Sequence, residues 1–210
     1  MKIPQQAKTP LIATGLAAAV LATGGLFAWL GAPDPVSREV QSNRALIGGP
    51  FALTDQNGQR RTSDSFRGRY MLIYFGFTFC PDICPTELAT MTQGLMAFEA
   101  QNPALAARIQ PIFITVDPDR DTPDVLKTYV ANFHPRFVGL TGTPADIEAV
   151  KAAYRVFAQK VDPQANPQNY LVDHSSLIYL MNPQGEYVTH FGMGTAPDEM
   201  ATRLADVVRG

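Results

Sequence analysis

Cys80 and Cys84 are the two cysteines of the 210-residue chain, with three residues between them. A thiolate is both a nucleophile and a soft metal ligand, so a close pair has three uses. It can close a structural disulfide, exchange disulfides with another protein, or share a metal. The spacing Cys-x-x-x-Cys carries one residue more than the redox pair Cys-x-x-Cys. The wider loop can still close a disulfide, and it can also spread two sulfurs around one metal. The pair follows the most strand-like run of the chain, Tyr70 to Phe75, and precedes a helical pattern. Pro85 suits a first helical position and biases Cys84 away from helical angles, which predicts a cap position for Cys84. A thiol at a helix N-terminus has its pKa lowered by the dipole.

Two thiolates leave a metal short of ligands, and the chain offers three histidines. His134, just before Pro135, reads as the C-terminal residue of a helix, interacting with its dipole. His190 falls in the return strand of a terminal hairpin. His174 stands where a long polar loop enters a buried strand. Position alone selects none of them, and a hydrogen-bonded structural imidazole is the plain alternative for each. Asp117, Asp119 and Asp121 invite a hard-metal site, but they precede a helix start at Thr122-Pro123. A capped, solvated turn is the simpler expectation, and the turn could help present the site to a partner. Asp82, between the cysteines, is expected to be exposed.

The elements that must hold these residues follow from patterning. Pro50 to Arg60 reads as a hairpin about Asn57-Gly58. Tyr70–Phe77 and Ile109–Val116 are apolar almost throughout, as in strands covered on both faces. Phe137–Leu140 is a third strand, Val156–Val161 is extended, and Asp162–Val172 is a polar loop. Ser176–Met181 and Glu186–Phe191 form a closing hairpin. Leu88, Met91, Leu95 and Phe98 mark one helix face, with Glu87 placed in the favoured first turn. Thr122-Pro123 and Thr143-Pro144 open two more helices, and Pro197–Val208 forms the last. Strands separated by helices, then a hairpin and a helix, predict an α/β sheet with parallel strands at its centre. The Cys loop and the Asp117–Asp121 loop both leave carboxyl ends of strands and are expected side by side, where open α/β sheets tend to place their sites.

Composition is that of one globular domain: 46% apolar, 17% charged, and a net charge of −2 with no nucleic-acid signature. The N-terminus differs. Residues 1–10 carry Lys2 and Lys8, and Leu11 to Ala32 is an uncharged run of 22 residues, long enough to cross a membrane. Asp34, Arg38 and Glu39 follow it. The charge bias places residues 1–10 in the cytoplasm, Trp29 at the outer interface, a linker over 33–47, and a domain over 48–210 on the outer side. A cleaved signal peptide is the rival, and the run is long for one. Thiols on the outer side face an oxidising compartment, where a structural disulfide is the bland expectation.

The segment Tyr74 to Pro85, with Cys80 and Cys84 inside it, resembles the signature of the Sco/SenC family of copper chaperones. Thr115 to Pro123 resembles that family's acidic loop, and Val172 to Ser176 resembles its histidine motif. The hairpin ending in His190-Phe191-Gly192 is also similar, and the resemblance spans roughly Gly48 to Ala205. It implies a thioredoxin-like fold, with a central mixed sheet flanked by helices, behind one N-terminal transmembrane helix. It implies copper, as Cu(I) or Cu(II), held by Cys80, Cys84 and His174. It implies a metallochaperone rather than an enzyme, delivering copper to the copper A-bearing subunit of cytochrome c oxidase. A copper donor and a thiol reductant would serve it, in the periplasm of a bacterium or the intermembrane space of a mitochondrion. Two soft sulfurs and an imidazole suit that metal.

The competing reading is a thiol–disulfide oxidoreductase that keeps an oxidase subunit's cysteines reduced. Cys80 and Cys84 would then be its catalytic pair, and His174 would be dispensable. A peroxiredoxin-type peroxidase expects Pro and Thr where Ile73 and Phe77 stand, which counts against it. Met91 is expected to pack in the core. Met193 and His190 are close in sequence and invite a transient copper contact, but methionine more often fills gaps, and packing is the expectation.

Overall fold

The computed structural model describes residues 47–165 and 169–209. The expected anchor over 11–32 and the linker up to residue 46 lie outside the described residues. Among the described residues no helix is long and apolar enough to cross a membrane.

Two strands carry the core. β3 (Tyr70–Gly76) and β4 (Ile109–Thr115) are buried along their whole length and pair in parallel, Tyr70 beside Ile109 through Gly76 beside Thr115. Their unbroken apolar runs are the sequence counterpart of a strand covered on both faces. β5 (Val138–Thr141) extends the parallel set on the far side of β4. On the near side, β8 (Leu177–Met181) runs antiparallel to β3, and β9 (Tyr187–Gly192) antiparallel to β8. The N-terminal hairpin of β1 (Ala52–Asp55) and β2 (Arg60–Thr62) closes the other edge on β5. The seven strands lie in the order β2-β1-β5-β4-β3-β8-β9. The expected α/β architecture with a mixed central sheet is therefore present.

α1 (Ile83–Gln101) crosses from β3 towards β4, and Leu88, Met91, Leu95 and Phe98 form its buried stripe as the periodicity predicts. Each such side chain contributes about 1.5–3 kcal/mol by leaving water. A short α2 (Pro103–Ala106) follows before β4. α1 also meets the last helix, α5 (Pro197–Val207), closely: a Cβ on Gly94 would come within 2.8 Å of Met200 Sδ. That approach explains why a residue of low helix propensity stands mid-helix. α3 (Pro123–Val130) and α4 (Pro144–Tyr154) begin on the predicted threonine caps, Thr122 and Thr143. α3 lays Leu126 and Val130 on β5 at Gly139.

Three local expectations are corrected. α1 begins at Ile83 on Asp82, so Cys84 is inside the first turn rather than at the cap. The expected polar loop Asp162–Val172 gives its last two residues to a strand that pairs with the expected extended run, making a second, two-stranded sheet. Here β6 (Ala158–Val161) pairs antiparallel with β7 (Leu171–His174), so that Ala158 faces His174. α3 ends at Val130, so His134 is not a helix C-terminal residue. It is buried, accepts the Arg136 N–H at Nδ1, and reaches the Glu99 carboxylate at 3.3 Å through Nε2.

Candidate metal centre

The Cys loop leaves the carboxyl end of β3 and enters α1 within six residues, so both thiols lie where the strand gives way to the helix. Cys84 is wholly buried against the end of β3, and Cys80 is partly exposed at the loop's outer side. The Cys84 backbone N–H, one of the free donors of a first helical turn, donates to Cys80 Sγ at 3.3 Å. The sulfurs are not bonded to one another.

His174 arrives at the end of β7, and its Nε2 lies 3.3 Å from Cys84 Sγ. Its other nitrogen, Nδ1, is 3.0 Å from the Ser175 carbonyl. A carbonyl only accepts, so Nδ1 carries the proton and Nε2 presents its lone pair to the sulfur. This is how a ligating imidazole is usually oriented by its outer hydrogen bond. Phe77 and Tyr74 hold the ring edge-on, at centroid distances of 5.8 and 6.2 Å. The donor atoms of Cys80, Cys84 and His174 all lie within 4.8 Å of one another. Among the described residues this is the one cluster of three or more such groups that could hold a metal. The other two histidines are elsewhere: His134 pairs with Glu99, and exposed His190 with Tyr187.

Electrostatics depart from the sequence expectation at Cys84. Burial outweighs the backbone hydrogen bond from Phe77 and pushes its thiol up to about 12, against the lowering expected of a helix start. Burial moves the His174 imidazole the other way, below its ordinary value, so it is neutral at pH 7. The resting cluster thus holds a protonated buried thiol beside a neutral imidazole, and a cation entering it must displace the Cys84 proton.

The loop after β4 adjoins the Cys loop as expected, but it is not a solvated turn. Asp117 and Asp121 are fully buried, and only Asp119 is exposed. Asp121 accepts hydrogen bonds from the Thr78 N–H, the Thr78 hydroxyl and the Thr115 hydroxyl, at 3.0, 2.6 and 2.6 Å. It therefore pins the start of the Cys loop. Burial raises its carboxyl above the ordinary value. Asp121→Asn is expected to cost about 1–2 kcal/mol, because one of the three donors loses its acceptor in a buried site. Urea unfolding midpoints at constant m-value check this, and an unchanged midpoint would count against the pinning role. Glu87 also differs from expectation. It lies past the first turn of α1, is buried, and accepts the Gly194 N–H at 3.4 Å. Asp82 is exposed and Met91 is in the core, as expected, whereas Met193 is exposed and fills no gap.

Arg120, Tyr170, Thr78 and Ser176 all contact this region without having been singled out from sequence. Tyr74 Oη pairs with Ser176 Oγ at 3.1 Å. The one local signal for Arg120 was its position three residues after Asp117.

A family model described as SCO1/SenC matches residues 39–209. A curated relative, the SCO2-like protein of Rickettsia prowazekii, is 47% identical over 161 residues, covering 77% of each chain. The solved structure of Bradyrhizobium japonicum ScoI with copper bound is 44% identical, covers 76% of this chain and 98% of that one, and superposes with a TM-score of 0.68. A structure of BsSco, described as a member of the Sco family of cytochrome c oxidase assembly proteins with a disulfide switch, is 28% identical. It covers 75% of this chain and 91% of that one, with a TM-score of 0.59.

Proposed function

The chain belongs to the SCO1/SenC family, and from that premise we propose that it is a membrane-anchored copper metallochaperone. It holds its cargo through Cys80, Cys84 and His174 and passes it to the copper A-bearing subunit of cytochrome c oxidase. The observation that carries this reading is the meeting of three soft or borderline donors from two segments 90 positions apart, within 4.8 Å. Metal–sulfur and metal–nitrogen bonds of about 2.3 and 2.0 Å span donor separations up to about 4.5 Å, so the cluster needs only slight closure. Two thiolates and an imidazole select copper over hard cations. The copper described in a relative 44% identical supports the same choice.

The chain's own groups have defined tasks. His174 offers Nε2 because Nδ1 is committed to Ser175. Cys84 supplies a sulfur shielded from solvent, and Cys80 supplies the accessible one, from which an incoming ligand of the oxidase subunit can take over. Residues 11–32 tether the domain on the outer membrane face, where a thiol reductant must keep both cysteines reduced and a copper donor must load them.

The test is a competitive Cu(I) titration of the reduced protein beside Cys80→Ser and Cys84→Ser. Weak binding by the wild type would overturn the assignment. The same titration carries a pH prediction. Cys84 is protonated until about pH 12, so loading releases its proton throughout the neutral range. Apparent affinity is then expected to rise about tenfold per pH unit for that proton between pH 6 and 8. A flat profile would contradict the buried-thiol assignment. Neutral His174 adds no proton near pH 7 and weakens binding only as pH falls through its lowered pKa.

A second reading is favoured by the unequal exposure of the two thiols. In thiol–disulfide exchange, the accessible Cys80 thiolate attacks a target disulfide and displaces one target thiolate. Buried Cys84 then attacks the mixed disulfide, releasing the second target thiolate and leaving Cys80–Cys84 oxidised. The two electrons lost by the pair are those gained by the target. The disulfide switch described for BsSco is consistent with this chemistry.

A further inference from the structure

We propose that Arg120 is a positioning residue for the candidate metal centre, clamping the Cys loop to the strand that carries His174. No disulfide links the two segments that supply the ligands, and their strands lie in different sheets: Cys80 and Cys84 follow β3 of the large sheet, and His174 ends β7 of the small one. Arg120 touches both. Its guanidinium lies 3.7 Å from the Tyr170 ring centroid, just before β7, and 4.7 Å from that of Phe79, the neighbour of Cys80. Phe77, which packs on the His174 ring, is 5.8 Å away. Nη1 donates to the Tyr170 carbonyl at 2.9 Å.

The clamp has a fixed base. Arg120 Nε donates to Asp117 Oδ2 at 2.5 Å, and the Tyr170 hydroxyl donates to Asp117 Oδ1 at 2.7 Å. Asp117 is wholly buried and the Arg120 side chain nearly so. A planar fork between two aromatic faces, with its carboxylate desolvated, fixes orientation in a way a flexible ammonium does not. Half-exposed Lys160 adds to the base from outside, 4.0 Å from Asp117 Oδ1 and 4.7 Å from the Tyr170 ring centroid, but its close partner Asp119 is exposed and that pair holds little by comparison. Cys80 depends on this clamp more than Cys84 does. Cys84 is locked in α1 and the core, whereas Cys80 rides on the loop whose Phe79 side chain stacks on Arg120. Separation of Cys80 from His174 is thus set by residues that touch no metal.

The metal arm of this proposal rests on the copper reading, and the other arm does not. In the reduced, metal-free protein, Arg120→Lys is expected to speed amide hydrogen exchange at least tenfold at residues 171–174 and 79–80. Exchange in β4 and mid-α1 should stay unchanged. In the Cu(I) titration the same variant is expected to bind about tenfold more weakly, the low end of what losing a direct outer partner of a ligand costs, because Arg120 acts on Cys80 and His174 through Phe79 and Tyr170. The Cu(II) form should show a weakened nitrogen hyperfine pattern. Arg120→Met alone would strand the buried Asp117 carboxylate, so the paired variant Asp117→Asn/Arg120→Met tests the clamp with no uncompensated charge. Exchange that is unaltered in those segments, or accelerated evenly across the domain, overturns the proposal. So does wild-type copper affinity in both variants. Failure of the wild type itself to bind copper would sink the copper reading, while the exchange arm would still decide the clamp.

Discussion

His174→Ala is expected to lower the Cu(I) affinity of the reduced protein by more than about 100-fold, since even outer-shell partners of a ligand cost 10–100-fold. The substitution removes one of three donors and leaves two thiolates that cannot complete the site from their own loop. It should leave the fold in place. The imidazole is only partly buried at the end of β7, and its ring contacts, to Phe77 and Tyr74, are with side chains fixed by the core. Thiol–disulfide exchange by Cys80 and Cys84 uses no atom of His174, so its rate should stay within a few-fold of wild type. The paired measurement therefore separates the two functional readings. Loss of copper binding with retained exchange is the chaperone's pattern. Copper affinity within tenfold of wild type would remove His174 from the ligand set and leave the oxidoreductase reading ahead. Loss of oxidase copper loading in cells carrying His174→Ala would show that exchange alone does not serve the partner.

Much of the frame was legible because its signals are local. β3 and β4 show continuous apolar runs because both faces are covered, and α3 and α4 announce themselves by Thr-Pro starts. The junction of strand and helix that holds the thiols followed from the same local rules. What failed depended on partners far away in the chain. Asp117 and Asp121 read as a solvated turn because nothing nearby in sequence shows that Tyr170 and Thr78 satisfy them. Cys84 was expected to have a lowered pKa from its helix position, yet its burial against the end of β3 decides the sign. Pairing of β6 with β7 was hidden because both strands alternate between exposed and covered residues and are joined through a polar loop. The choice among three histidines could not be made from spacing. The resemblance singled out His174, and its meeting with the thiols is a property of the tertiary fold.

The position most sensitive to a single methyl group is Gly76. It ends β3 opposite Thr115, and its carbonyl accepts the Val116 N–H at 2.8 Å, so the backbone there is held by β4 on one side. A Cβ at this residue would stand 2.9 Å from Cys84 Sγ, 3.0 Å from Tyr74 Cε1 and 3.1 Å from Phe113 Cε2. None of these neighbours can yield cheaply. Tyr74 and Phe113 are core rings, and Cys84 is fixed in the first turn of α1. The sulfur has the shortest side chain to move, and moving it breaks its 3.3 Å approach to His174 Nε2. Gly76→Ala is therefore expected to cost about 2–3 kcal/mol by overpacking. It should also weaken Cu(I) binding at least tenfold, although the substituted residue contributes no ligand. Gly192→Ala is the control, because a Cβ there meets nothing within 4 Å. It should leave the urea midpoint and copper affinity near wild type. A Gly76→Ala protein with unchanged stability would mean that α1 can shift away from β3. If it also bound copper as tightly as the wild type, the placement of Cys84 Sγ against the strand end would not be what sets the site.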